Sequence, residues 1–134
     1  MPSIKNIEGI GGAYARKLSK AGVRTTESLL KKGGTPMGRK ELARASGFTP
    51  RKILEWVNRS DLMRVRGVGS EFSDLLEAAG VDTVRELSKR DAVKFMTSLE
   101  KTNTSKKLMR RMPTKKQVSA GIRQAKSLPR AVSY

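Results

Sequence analysis

Two short strings, Ile7-Glu8-Gly9-Ile10-Gly11 and Val65-Arg66-Gly67-Val68-Gly69, lie 58 positions apart and share a pattern of aliphatic, any residue, then Gly-aliphatic-Gly. At the same offset Leu18 meets Leu76, Ala21-Gly22-Val23 meets Ala79-Gly80-Val81, Thr25 meets Thr83 and Leu29 meets Leu87. A match sustained in one register is an internal duplication. Each copy reads as a short helix, a glycine turn, a second helix ending at a glycine, and a connecting helix that starts at a threonine cap. Thr83 with Glu86 three residues on has the form of a capping box.

Between the copies the theme recurs more faintly. Thr35-Pro36 has the form of an N-cap followed by proline at the first helical position, and Ser46-Gly47 can close that helix. Thr49-Pro50 opens another through Ile53, Leu54, Trp56 and Val57, so Gly47-Phe48-Thr49 stands where Gly9-Ile10-Gly11 stands in the first unit. Gly9 to Leu18 and Gly47 to Trp56 have the same spacing. In the second half, Thr104-Ser105-Lys106-Lys107-Leu108-Met109 lies over Thr49-Pro50-Arg51-Lys52-Ile53-Leu54, which makes Thr102-Asn103-Thr104 a degenerate fourth turn. Thr114 caps a last helix with Val118, Ile122 and Ala125 on one face, stopped near Pro129. Period-two alternation is missing over any useful length, so the expected fold is all-α. Trp56, Tyr14 and Phe72 are expected in the core.

The Gly-aliphatic-Gly turns resemble the helix-hairpin-helix motif. Gly9-Ile10-Gly11-Gly12-Ala13-Tyr14-Ala15-Arg16-Lys17-Leu18 fits it well, and Gly67-Val68-Gly69 through Leu76 fits its apolar frame. With the Ala-Gly-Val-x-Thr and Trp-Val-Asn-x-x-Asp-Leu-Met strings, nearly the whole chain resembles an uncharacterised family of small basic proteins built from tandem helix-hairpin-helix units. The resemblance implies two pseudo-repeated halves and a C-terminal helix. The expected division is 3–59 for the first pair, 60–112 for the second, 113–128 for a C-terminal helix packed on the second half, and a flexible tail at 129–134. Ser60 is expected to cap the helix that opens the second half.

Composition narrows the function. The chain of 134 residues carries 29 Lys and Arg against 12 Asp and Glu, a formal charge of +17. Residues 1–59 hold 13 basic and 4 acidic side chains, 60–100 hold 6 and 8, and 101–134 hold 10 and none. A positive field concentrated at both ends suits a surface that meets a polyanion. With no Cys and no His, the chain lacks a thiolate nucleophile, the commonest metal ligand and the commonest general base. It has no Walker-type Gly-Lys-Ser/Thr string either, so neither enzyme activity, nor cofactor, nor metal is expected. No apolar run approaches membrane-spanning length and the start is not signal-like, so no membrane partner and a cytoplasmic, nucleoid-associated location are expected.

The physics of the turn supplies a mechanism. A tight glycine turn leaves the amides of the following helix start facing outward, and with the helix dipole they form a site for a phosphate. The expected nucleic-acid contacts are Gly9, Ile10, Gly11, Gly12, Arg16, Lys17 and Lys20 at the first turn. Gly47, Thr49, Arg51 and Lys52 follow at the second, Arg64, Arg66, Gly67 and Gly69 at the third, and Thr104, Lys106, Lys107, Arg110 and Arg111 at the fourth. Such contacts position a duplex without reading its bases, and resemblance to tandem units that span a minor groove makes double-stranded DNA the preferred ligand. Glu71, Asp74 and Glu77 follow the third turn and would repel phosphate, so they are assigned to a protein-facing or intramolecular role: a protein partner, self-association with another subunit, or pairing with the basic C-terminal segment. The rival functions are a protein-protein adaptor and an RNA or ribosome binder.

Overall fold

The computed structural model describes residues 2–7 and 9–134. Glu8 of the first string therefore lies outside the described residues. The described chain is all-α, with eight helices and no strand. They are α1 (Gly12–Lys20), α2 (Thr26–Gly33), α3 (Pro36–Ser46), α4 (Pro50–Leu62), α5 (Ser70–Ala78), α6 (Val84–Ser88), α7 (Ala92–Lys106) and α8 (Lys115–Ser127). The short helix expected before the first glycine turn is a single 3-10 turn, Ile4–Asn6.

Threonines start most of the helices as their sequence context implies. Thr25, Thr35, Thr83 and Thr114 are N-caps whose hydroxyls accept the amide three residues on. Thr49 does the same for Lys52 at 3.1 Å. Thr114 and Gln117 complete a reciprocal box. At Thr83 the exchange is different, because the Glu86 carboxylate accepts from the Asp82 amide (3.3 Å) and the Thr83 hydroxyl (3.3 Å). The helix ends match too: Val23 N–H donates to Leu18 O and Gly22 N–H to Ser19 O, and Val81 and Gly80 make the corresponding bonds to Leu76 and Glu77. This is the Schellman pattern, closed by a left-handed glycine at φ +88° (Gly22) and +95° (Gly80).

The chain divides into two compact units, one of Met1–Asp61 with Arg130–Tyr134 and the other of Leu62–Pro129. In the first, α3 packs on α1 and α2, around Leu18, Val23, Leu29, Ile53, Trp56 and Val57. In the second, α8 packs on α6 and α7, and α7 on α5, around Leu62, Leu75, Leu76, Val81, Phe95 and Leu99. Removing the Val, Leu, Ile and Phe side chains among them from water contributes about 1.5–3 kcal/mol each.

Three expectations about where elements begin and end fail. Ser60 does not cap a helix: it lies inside α4, buried, because α4 runs on to Leu62. No turn interrupts at Thr102-Asn103-Thr104, since α7 continues to Lys106. The chain after Pro129 is not a free tail. Val132 is buried, Ser133 N–H donates to Gly34 O at 2.7 Å, and the buried Arg39 donates to Ser133 O at 2.7 Å and Gly33 O at 3.0 Å. Gly34 permits this approach, since a Cβ there would lie 2.5 Å from Ala131 O.

Candidate functional site

The two glycine turns share one backbone geometry. Ile10 N–H donates to Ile7 O at 3.1 Å and Val68 N–H to Val65 O at 3.0 Å. Gly9 and Gly67 sit at φ +89° and +87°, a region that costs a side-chain-bearing residue about 1–2 kcal/mol. Ile10 and Val68 are buried and pin the turns to the cores. Gly11 and Gly69 then serve as N-caps in extended conformation, with no side chain accepting from the helix start. Elsewhere the helix starts carry their own oxygen: Thr25, Thr35, Thr49, Thr83, Asp91 and Thr114. The first-turn amides of α1 and α5 are thus offered to an external acceptor.

Electrostatics separates these two starts. A Cβ at Gly12 would lie 3.6 Å from Arg16 Nη1, so that guanidinium folds back over the first turn of its own helix. Arg16, Lys17 and Lys20 are all exposed, as are Gly9, Gly11 and Gly12. At α5 the first turn instead holds Glu71, whose charge opposes an incoming anion. Arg64, half-buried, donates to Pro129 O at 2.6 Å, while the Arg66 amide donates to Gln124 Oε1 at 2.8 Å and leaves its side chain exposed. Glu71 and Glu77 are exposed and Asp74 is half-buried.

The start of α4 joins the start of α1. Gly47 closes α3 at φ +85°, and Phe48 then packs edge-on against Tyr14 of α1 (5.0 Å between ring centres) and Trp56 of α4 (4.9 Å). Tyr14 and Trp56 are 6.0 Å apart. Trp56 is core at 2% exposure, whereas Tyr14, expected in the core, is 41% exposed at the edge of this trio. Lys17 Nζ lies 5.6 Å from the Phe48 ring and Lys52 Nζ 5.7 Å from Trp56, with Lys52 also 3.3 Å from Glu55. Thr49 and Arg51 are exposed. The structure therefore brings Tyr14 and Lys17 of α1 to Phe48, which follows Gly47 and precedes Thr49, and sets the Gly9 turn against the Trp56 indole that Lys52 also approaches. Sequence spacing placed the glycines but missed the aromatic trio, because nothing local says that Tyr14 and Phe48 meet.

The fourth expected turn is relocated. Thr104 donates its hydroxyl back to Glu100 O at 2.8 Å, within the last turn of α7. Lys106 and Lys107 sit at that helix's C-terminal end, Lys107 in the left-handed region at φ +52°. Cations there favour the dipole and have no amides to share with an anion. Arg110 and Arg111 lie in the following connection, which Asn103 braces through bonds with Met109 N and O at 2.9 and 3.0 Å. The second-half counterpart of α4 is α8, equal in length and likewise capped by threonine.

Among the described residues no group of three or more Cys, His, Asp or Glu is placed to hold a metal, and no helix is long and apolar enough to cross a membrane. No curated protein and no solved structure matches the chain. The family described as Domain of unknown function (DUF4332) matches residues 8–128, and the chain belongs to it.

Proposed function

We propose that the protein binds nucleic acid through the phosphate backbone, preferring double-stranded DNA and reading no base sequence, in support of DNA organisation, repair or recombination. The carrying observation is the uncapped start of α1 beneath the Arg16 guanidinium, in a chain of charge +17. In this reading the glycine turns are helix-hairpin-helix elements. The amides at the start of α1 and its dipole hold a phosphate oxygen while Arg16 closes over it. The start of α4, beside it through Tyr14 and Phe48, receives a second phosphate at Thr49 and Arg51. Lys106, Lys107, Arg110 and Arg111 add long-range attraction without a helix-start contact.

The α5 start contributes less, because Glu71 stands in its first turn. Backbone gripping of this kind releases counterions, so about 6–10 phosphate contacts would cost about 10³–10⁵ in affinity between 50 and 200 mM salt.

Gly11→Asp tests the reading. Gly11 has φ −86° and open space where a Cβ would stand, so aspartate is tolerated there and caps α1. Stability should rise by about 0.5–1 kcal/mol, while affinity for a DNA duplex falls by about tenfold or more as carboxylate replaces phosphate. Unchanged duplex affinity in a stabilised Gly11→Asp, measured by fluorescence anisotropy across a salt series, would remove the α1 start from the interface.

A further inference from the structure

The second unit has a cavity where the first has an indole. Aligning α8 on α4 from their threonine caps puts Gly121 in the place of Trp56 and Pro113 in the place of Phe48. The offset of 58 keeps Phe72 in the place of Tyr14. Two of the three rings of the aromatic trio are thus missing. In their stead is an opening of about 280 Å³ with Phe72, Leu76, Phe95, Met109, Met112 and Val118 on its walls. Phe72, Met109 and Met112 remain only partly buried around it. Arg66 and Arg111 also line it, both exposed, and no acidic residue does.

From this juxtaposition we infer that the second unit binds an acidic segment of a partner protein, which inserts one aromatic side chain between Phe72 and α8 and pairs its carboxylates with Arg66 and Arg111. The mostly apolar walls suit a ring with at most one polar atom on its edge, which argues for an aromatic side chain over a nucleobase, whose edge carries several. The size follows from the first unit, where an indole with its neighbouring phenyl ring occupies the corresponding place. Methionine walls adapt to the exact ring presented. The rim charge requires acidic neighbours, since a basic segment would be repelled. This inference stands on the second unit alone and is independent of nucleic-acid binding at α1.

The probe is a fluorescein-labelled peptide, Asp-Glu-Trp-Glu-Asp, titrated with the full chain at 0.15 M salt. Its counterpart with serine for tryptophan reports charge alone. The tryptophan peptide should bind at least tenfold more tightly. With methyl-labelled methionine, the Met109 and Met112 signals should shift and that of the exposed Met37 should not. Gly121→Trp supplies the missing ring from within. Its Cβ would meet Val65 at 3.6 Å, an ordinary contact, and peptide affinity should fall at least tenfold while duplex DNA affinity is kept. Equal binding of the two peptides, or unmoved Met109 and Met112 signals, overturns the inference whether or not Gly121→Trp folds. A single-stranded oligonucleotide that shifts those two signals more strongly than the peptide overturns it in favour of a nucleobase.

Discussion

Gly67 and Gly69 stand two positions apart and serve different ends. Gly67 is at φ +87°, where a Cβ is strained even though space is free, whereas Gly69 is extended at φ −104° with the same free space. Gly67→Ala should therefore lose about 1–2 kcal/mol, and Gly69→Ala should stay within about 0.5 kcal/mol of the parent. Chemical unfolding of the two variants checks the pair; equal losses would mean that the turn is held for some reason other than backbone conformation. At this scale the sequence was highly legible, because the Gly-aliphatic-Gly string constrains the backbone through the missing Cβ atoms themselves. Tyr14 was not legible: its helical position is compatible with core or rim, and only the arrival of Phe48 and Trp56 places it at the rim.

Helix ends carry the next level of meaning. Arg51 and Lys52 stand at the start of α4 and oppose its dipole, whereas Lys106 and Lys107 stand at the end of α7 and complement it. Replacing Arg51 by Ala should stabilise the protein by about 0.3–1 kcal/mol, replacing Lys52 should change stability little because its contacts with Glu55 and Trp56 are lost too, and replacing Lys106 by Ala should destabilise it slightly, by about 0.3 kcal/mol. In DNA titrations the Arg51/Lys52 variant should flatten the salt dependence by about one to two contacts, with a smaller change for Lys106→Ala/Lys107→Ala. Equal slopes from the two pairs would show that only total charge matters. The threonine caps at 25, 35, 49, 83 and 114 were readable because each precedes an apolar pattern. The false start at Thr104 arose because Thr and Asn also serve in a last turn, where Thr104 bonds Glu100 O and Asn103 braces the next connection.

At the scale of the whole molecule, the last residues complete the first unit. Arg39 is buried, burial lowers its pKa while Tyr134 acts in the opposite direction, and its guanidinium is held by Gly33 O and Ser133 O. Deleting residues 130–134 removes the Ser133 partner and uncovers the Val132 site, at a cost of about 2–4 kcal/mol. A urea midpoint unchanged by the deletion would show that the segment only rests on the surface. Composition and spacing alone determined the all-α class, the glycine turns, most helix starts and the excess of positive charge, because each depends on local backbone chemistry or on counting. Tertiary structure alone decided that Val132 fills a site nearly a hundred residues from Arg39's helix, that Tyr14, Phe48 and Trp56 meet, and that Gly121 leaves an opening. Those outcomes depend on which surfaces meet, and a surface's partner is not encoded in its own spacing.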